Sequence, residues 1–180
     1  MRLSVANTYE EPRAHAVRER YLSTFGGEGL PVPVEAIAED LLGLRIEQSW
    51  EIDCSGMLLP ASRTIVLNAA EAPRDEAPLR RFRFTIAHEI GHWVCHCNEG
   101  RAPVLEPSYC RPVDLTEAAD HALEREANVF AAELLMPERA VREAWEELGE
   151  VAACATRFDV SPTAMQWRAF NLGLVTERPE

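Results

Sequence analysis

A length of 180 residues and a hydrophobic fraction of 47% fit one globular domain that can bury a substantial core. The formal net charge of −12 at pH 7 argues against direct binding to nucleic acid, because gripping a phosphate backbone requires clusters of basic residues. No run approaches the roughly 20 apolar residues of a membrane span, and the first residues contain no apolar signal-peptide core, so we expect a cytoplasmic protein.

Two helices are predicted in the N-terminal part of the chain. The first covers residues 12–25, where apolar side chains recur at helical intervals and Gly26-Gly27 stops the pattern. A shorter helix is predicted over residues 33–42, with Gly43 just past its end.

A small β-sheet is predicted to follow, because three segments alternate in hydrophobicity or are rich in β-branched residues. They lie near residues 44–48, 52–59 and 63–68. Residues 56–58 are predicted to form an exposed edge of this sheet. That edge would either accept an extended substrate segment as an added strand or remain an edge without a partner.

The next predicted helix contains the motif His88-Glu89-Ile90-Gly91-His92. Residues four apart lie on one helix face, so both imidazoles can bind one Zn²⁺ at about 2.0–2.1 Å. Glu89 is placed to take a proton from the attacking water. Gly91 leaves room for a neighbouring backbone or for the third metal ligand. The motif predicts metal-assisted peptide hydrolysis, and the alternative is a surface helix that carries the pattern by chance.

A catalytic zinc usually has three protein ligands, and the third is predicted on a strong helix-forming run that ends at Pro137. Glu124 is the favoured ligand. Asn128 lies four residues further along the same face, so its amide is predicted to hydrogen-bond a ligand histidine. Glu126 ranks second, because it projects from a different side of the helix, about 200° away.

Three short helical patterns follow Pro137, near residues 138–148, 150–157 and 162–172, with Ser161 as the predicted cap of the last. We therefore divide the chain into a zinc metallopeptidase domain over residues 1–137 and a helix-turn-helix-like segment over residues 138–180. Four arginines against six acidic residues give this segment a net charge of −2 over residues 138–175. Packing or substrate docking is favoured over DNA binding, although a DNA-binding regulator stays an alternative.

The paired motifs resemble those of the ImmA/IrrE metallopeptidases. The residues that carry the resemblance are the HExxH helix, the run Glu124-Arg125-Glu126-Ala127-Asn128 and the run Phe130-Ala131-Ala132-Glu133-Leu134-Leu135-Met136-Pro137. Together with flanking segments, the resemblance covers about residues 30–175. It implies an α+β, mostly helical, zincin-type fold with a small sheet beside the HExxH helix.

The resemblance also implies a function and a ligand set. In gluzincin fashion, His88, His92 and Glu124 would bind Zn²⁺, and Glu89 would be the catalytic base. The implied substrate is a helix-turn-helix repressor of the Xre type, whose cleavage relieves repression of mobile-element, toxin-antitoxin or stress-response genes. An alternative partner role is to sequester such a repressor without cutting it.

A tetrahedral oxyanion usually needs a second hydrogen-bond donor, and Tyr109, His121 and His96 have suitable chemistry. Residues 98–114 are predicted to be a loop that forms a wall or lid of the cleft.

The five cysteines are predicted to be reduced thiols, because the chain shows no export signal. The spacing of Cys95, Cys97 and Cys110 does not favour a second metal site, since it is not a paired C-x-x-C arrangement. One hypothesis places Cys110 near the catalytic metal, holding it inactive.

Overall fold

The computed structural model describes residues 11–27, 29–71, 76–97, 109–110 and 118–179. The elements that position the site are, in chain order, α1 (Glu11–Phe25), α2 (Val34–Ala36) continued by a π-helical turn (Ile37–Leu41), β1 (Arg45–Ser49), β2 (Gly56–Leu59), β3 (Thr64–Asn68), a 3₁₀ turn (Ala69–Glu71), α3 (Glu76–His96), β4 (Tyr109–Cys110), α4 (Ala118–Leu135), α5 (Glu138–Leu148), α6 (Val151–Phe158) and α7 (Pro162–Asn171). The predicted class, α+β and mostly helical, is confirmed. Among the described residues, no helix is long and apolar enough to cross a bilayer.

The sheet has the strand order β1-β3-β2-β4. Every residue of β3 is buried, which fits the β-branched and apolar residues that make up the strand from Thr64 to Leu67 at an inner position of the sheet. β3 pairs with β1 in parallel and with β2 in antiparallel orientation. The other side of β2 is covered by β4, where Met57 pairs with Cys110 and Leu58 with Tyr109.

The prediction of an open edge at residues 56–58 is therefore wrong at Met57 and Leu58. The physical reason is a long-range pairing: β4 lies about fifty residues further along the chain and takes up the hydrogen-bonding positions of β2. β2 is also shorter than predicted, because residues 50–55 bend. Asn68 holds that bend through its side-chain amide, which donates to the carbonyl of Ile52 at 3.0 Å, and its backbone N–H, which donates to Ser55 at 3.0 Å.

α3 and α4 pack closely at Gly91. A Cβ added at this glycine would lie 3.1 Å from the Cα and carbonyl oxygen of Ala127, and 3.2 Å from a ring carbon of Phe130. The expectation that Gly91 makes room for a neighbouring backbone is confirmed. Ala127 lies between Glu124 and Asn128 in sequence, so this contact brings their part of α4 against the HExxH helix.

The C-terminal helices are tied to α3 and α4 by buried and half-buried arginines. Arg80 and Arg83 each form an ion pair with Asp159 at 3.2 Å, and Arg168 pairs with Glu133. Ser161 accepts a hydrogen bond from the backbone N–H of Ala164, so the predicted cap of α7 is confirmed. The division at residue 137 stays a prediction.

The cysteines differ in part from expectation. Cys95, Cys97 and Cys154 are free, whereas Cys54 is disulfide-bonded, so the prediction of reduced thiols is wrong at Cys54. The side chain of Cys110 lies outside the described part of the chain, and the hypothesis that it approaches the metal stays untested.

We expect Gly91→Ala to destabilise the protein, because the added methyl meets backbone atoms that cannot rotate away. Overpacking of this kind costs about 1–3 kcal/mol, against a gain of about 1 kcal/mol for Ala over Gly in a helix. Urea denaturation should show a lower midpoint, and zinc affinity should fall because α4 is displaced. An unchanged midpoint with unchanged zinc affinity would show that the close approach at Gly91 does not matter.

Candidate metal centre

Four ionisable side chains are buried in this part of the interior, three from α3 and one from α4. His88 is 7%, Glu89 2%, His92 0% and Glu124 9% exposed. Burying so many groups that can carry charge is costly unless they bind one another or an ion. The arrangement therefore needs a physical explanation beyond packing.

The distances among the proposed ligand atoms fit a divalent cation. The two Nε2 atoms of His88 and His92 are 3.0 Å apart. The Glu124 carboxylate reaches them with Oε2 3.3 Å from His88 and Oε1 3.1 Å from His92. In a tetrahedral zinc site with bonds of about 2.0–2.1 Å, neighbouring ligand atoms are about 3.3 Å apart.

The outer nitrogens of both rings have partners of their own. Nδ1 of His88 lies 3.2 Å from the Asn128 side-chain oxygen, and Nδ1 of His92 lies 3.1 Å from Nδ1 of His96. A proton on each outer nitrogen leaves both Nε2 atoms as bare acceptors facing the Glu124 carboxylate. Three acceptors this close repel one another unless a proton or a metal ion lies between them. The residues present therefore fit a metal ion.

Electrostatics favour the protonation states that bind metal. Burial lowers the pKa of His92 and outweighs its hydrogen bond to Glu124, which favours the neutral ring. Burial alone would raise the pKa of Glu124, but without a bound ion, protons on Nε2 of His88 and His92 provide hydrogen bonds and charge that hold the pKa of Glu124 well below its usual value. A bound cation would take the place of those protons. A neutral imidazole and an ionised carboxylate are the forms that coordinate zinc.

A cleft of about 60 Å³ opens beside Glu89 and His88. The start of β2 forms one wall: a Cβ added at Gly56 would lie 2.3 Å from the methyl of Thr85 and 3.4 Å from Oε1 of Glu89. Only a residue without a side chain allows the strand to lie this close to α3. The cleft is lined by Ser55, Gly56, Arg81, Phe84, Thr85, His88 and Glu89.

The structure brings His88, His92, Glu124 and Asn128 together as the sequence predicted, and their roles as ligands and supporting group stay predictions. Glu126 is not directed at the metal position. Its carboxylate lies 3.0 Å from Nε2 of His96. Other roles were predicted for His96 and Glu126, and neither contact of His96 was predicted. The four-residue spacing of His92 and His96 was a signal for the first contact, whereas the contact with Glu126 depends on helix packing.

The candidates for oxyanion stabilisation are not resolved by this geometry. His121 is exposed on α4, one turn before Glu124, and Tyr109 lies in β4 with its side chain outside the described residues. The ring nitrogens of His96 contact His92 and Glu126 instead.

Most of the predicted loop over residues 98–114 also lies outside the described residues. The cleft wall at Ser55 and Gly56 was not predicted from the sequence, because its position depends on the pairing of β2 with β3.

The fold and the site define a candidate metal centre of the HExxH type, on two packed helices beside a small sheet. The family model described as "IrrE N-terminal-like domain" matches residues 43–170, and the chain belongs to this family. This family is one of metallopeptidases, which implies a bound metal ion.

Two known proteins show the extent of the similarity. The radiation response metalloprotease IrrE of Deinococcus radiodurans is 31% identical over 113 residues, which are 61% of this chain and 31% of that protein. The chain thus matches about a third of the length of that relative. A solved structure of a Mycobacterium tuberculosis transcriptional regulator has the same fold, with a TM-score of 0.63 at 18% identity, over 97% of this chain and 49% of that chain.

We expect the purified chain to bind one Zn²⁺, and Glu124→Ala to weaken binding by more than the about 10- to 100-fold typical of a lost supporting partner. The reason is that the alanine removes one of three metal-binding groups. Competition with a coloured chelator measures the affinity. Glu147→Ala, which removes an exposed carboxylate of α5 paired with Arg157, is the matched control. Equal affinities for the two variants would exclude Glu124 as a ligand.

Proposed function

We propose that the chain is a zinc-dependent endopeptidase. The observation that carries this proposal is the position of Glu89: its buried carboxylate borders the cleft and follows His88 directly on α3. A purely structural metal site has no use for an acid–base group at that position. Family membership supports the proposal independently.

In this proposal, the metal-binding residues and Glu89 have different roles in peptide hydrolysis. Bound Zn²⁺ would supply Lewis acidity to the attacking water and to the scissile carbonyl. His88, His92 and Glu124 hold the ion in place. Glu89 takes the proton of the water and passes it to the leaving amine. Its burial keeps bulk water away from this transfer, and Gly56 keeps the wall of the cleft close to its carboxylate.

Zinc is the metal that we propose, because of the donor set. Two imidazole nitrogens and one carboxylate, with an open fourth position, are typical of catalytic zinc. Imidazole also suits Fe²⁺ and other first-row ions, so the metal taken up in a cell depends on supply as well as on the ligands.

The substrate that we propose is a helix-turn-helix repressor of the Xre type, cleaved to relieve repression of mobile-element, toxin-antitoxin or stress-response genes. Resemblance to the ImmA/IrrE metallopeptidases supports this choice. So does the net charge of −12, since an acidic protein attracts a basic DNA-binding protein and speeds their association. Sequestration of the repressor without cleavage is the alternative partner role.

Glu89→Gln should abolish cleavage while zinc binding is kept, because the amide keeps the shape of the carboxylate and cannot take the proton. His88→Ala should lose both. The assay incubates each variant with Zn²⁺ and a candidate repressor and looks for a discrete fragment that EDTA suppresses.

The same assay separates the alternatives. Substantial cleavage by the Glu89→Gln variant would contradict the role of Glu89. A stable complex with intact repressor and no fragment would favour sequestration instead. A salt-dependent gel shift by the chain alone would favour a DNA-binding regulator, and the acidic charge predicts none.

A further inference from the structure

A chain of three side chains runs outward from the metal centre to the edge of α4. Nδ1 of His92 lies 3.1 Å from Nδ1 of His96, and Nε2 of His96 lies 3.0 Å from Oε2 of Glu126. The side chains of His92 and His96 are 0% and 6% exposed, whereas that of Glu126 is 40% exposed. A partly solvated carboxylate thus terminates a buried pair of imidazoles.

The carboxylate fixes the direction of the protons along this chain. An ionised carboxylate only accepts hydrogen bonds, so Nε2 of His96 must carry a proton. In a neutral His96 ring, Nδ1 is then the acceptor, and it accepts from Nδ1–H of His92. That leaves Nε2 of a neutral His92 ring as an acceptor, directed at Glu124 and at the proposed metal position.

We propose that Glu126 and His96 are positioning residues, which hold His92 in the tautomer and ring orientation that bind the metal. Neither residue touches the reacting atoms. The inference rests on the metal site of the proposed function. It assigns to Glu126 a role different from that of a ligand, and to His96 a role different from that of an oxyanion donor.

The two proposed metal-binding histidines differ in how strongly their partners set the tautomer of the ring. His88 is supported by the Asn128 amide, which can present either its oxygen or its NH₂ group, so this partner does not by itself dictate a tautomer. His92 is fully buried and is supported by a chain that ends in a charge. Removal of Glu126 therefore removes the charge that holds the proton of His96 on Nε2 and, through His96, the proton of His92 on Nδ1.

A merely structural role would be to join α3 to α4. The approach of these helices at Gly91 and Ala127 does not involve His96 or Glu126. The two roles therefore make different predictions: a structural link changes stability, whereas a positioning chain changes the tautomer of His92 and the metal affinity.

The first experiment records the ring nitrogens of ¹⁵N-histidine-labelled, metal-free protein by NMR. Wild type should show a proton on Nδ1 of His92, whether or not Nε2 also carries one for its hydrogen bond to Glu124. Glu126→Leu should give a mixture of tautomers, and Glu126→Gln, which keeps an acceptor oxygen, should retain most of the wild-type signal. Glu147→Gln is the control, because it removes an ion-paired carboxylate from another helix. A wild-type His92 without a proton on Nδ1 would overturn the proposal, because His96 would then be the donor to His92 and Glu126 would not set the tautomer of His92.

The second experiment measures zinc affinity by chelator competition, together with the thermal stability of the metal-free chain. Glu126→Leu and His96→Leu should weaken zinc binding by about 10- to 100-fold, the usual effect of losing a ligand's supporting partner. His96→Asn should recover much of the affinity, because its Oδ1 lies where Nδ1 of the histidine was. Affinities equal to wild type in both leucine variants would overturn the proposal.

If zinc affinity falls only in proportion to the thermal stability of the metal-free variants, the positioning role is also wrong. His96 and Glu126 would then only link α3 to α4. A wild-type chain that binds no zinc would refute the metal site and the proposed function. The tautomer measurement on metal-free protein would still decide the inference about Glu126 and His96.

Discussion

Three electron-pair donors from two helices lie 3.0–3.3 Å apart in the interior of this protein, and no hydrogen-bond pattern satisfies all of them when the outer ring nitrogens carry the protons. A cation resolves the conflict. The fit to a metal ion therefore follows from this convergence of His88, His92 and Glu124. The position of Glu89 and the direction of the outer hydrogen bonds have a consistent explanation once an ion is placed there.

Two glycines allow the fold to build this centre. Gly91 lets α4 approach α3 until Ala127 is in backbone contact, which brings the carboxylate of Glu124 to the paired imidazoles. Gly56 lets β2 lie directly over Thr85 and Glu89, which forms one wall of the cleft. The small sheet thus forms a wall beside Glu89, the proposed base, while the helix pair holds the proposed ligands. Access and ligation depend on different contacts, so a substitution at one glycine should affect one property first.

The parts of this account that were predictable from the sequence are those set by local spacing. The four-residue intervals of His88 with His92 and of Glu124 with Asn128 place each pair on one helix face, and Ser161 before Pro162 marks a helix start. What was missed depends on contacts between distant segments. The edge of β2 pairs with β4, and His96 contacts Glu126 of α4, thirty residues further along the chain. Helix periodicity showed that Glu126 faces away from Glu124, but only the packing of the two helices shows which group it meets.

The claim that a metal ion joins the two helices is tested most directly by a crystal structure of the zinc-loaded chain with data collected at the zinc absorption edge. The account predicts one anomalous peak, about 2.0–2.2 Å from Nε2 of His88, Nε2 of His92 and a carboxylate oxygen of Glu124. Nδ1 of each ring should remain bonded to Asn128 or His96. A fully loaded protein whose zinc lies elsewhere, or whose Glu124 carboxylate points away from the ion, would contradict the account.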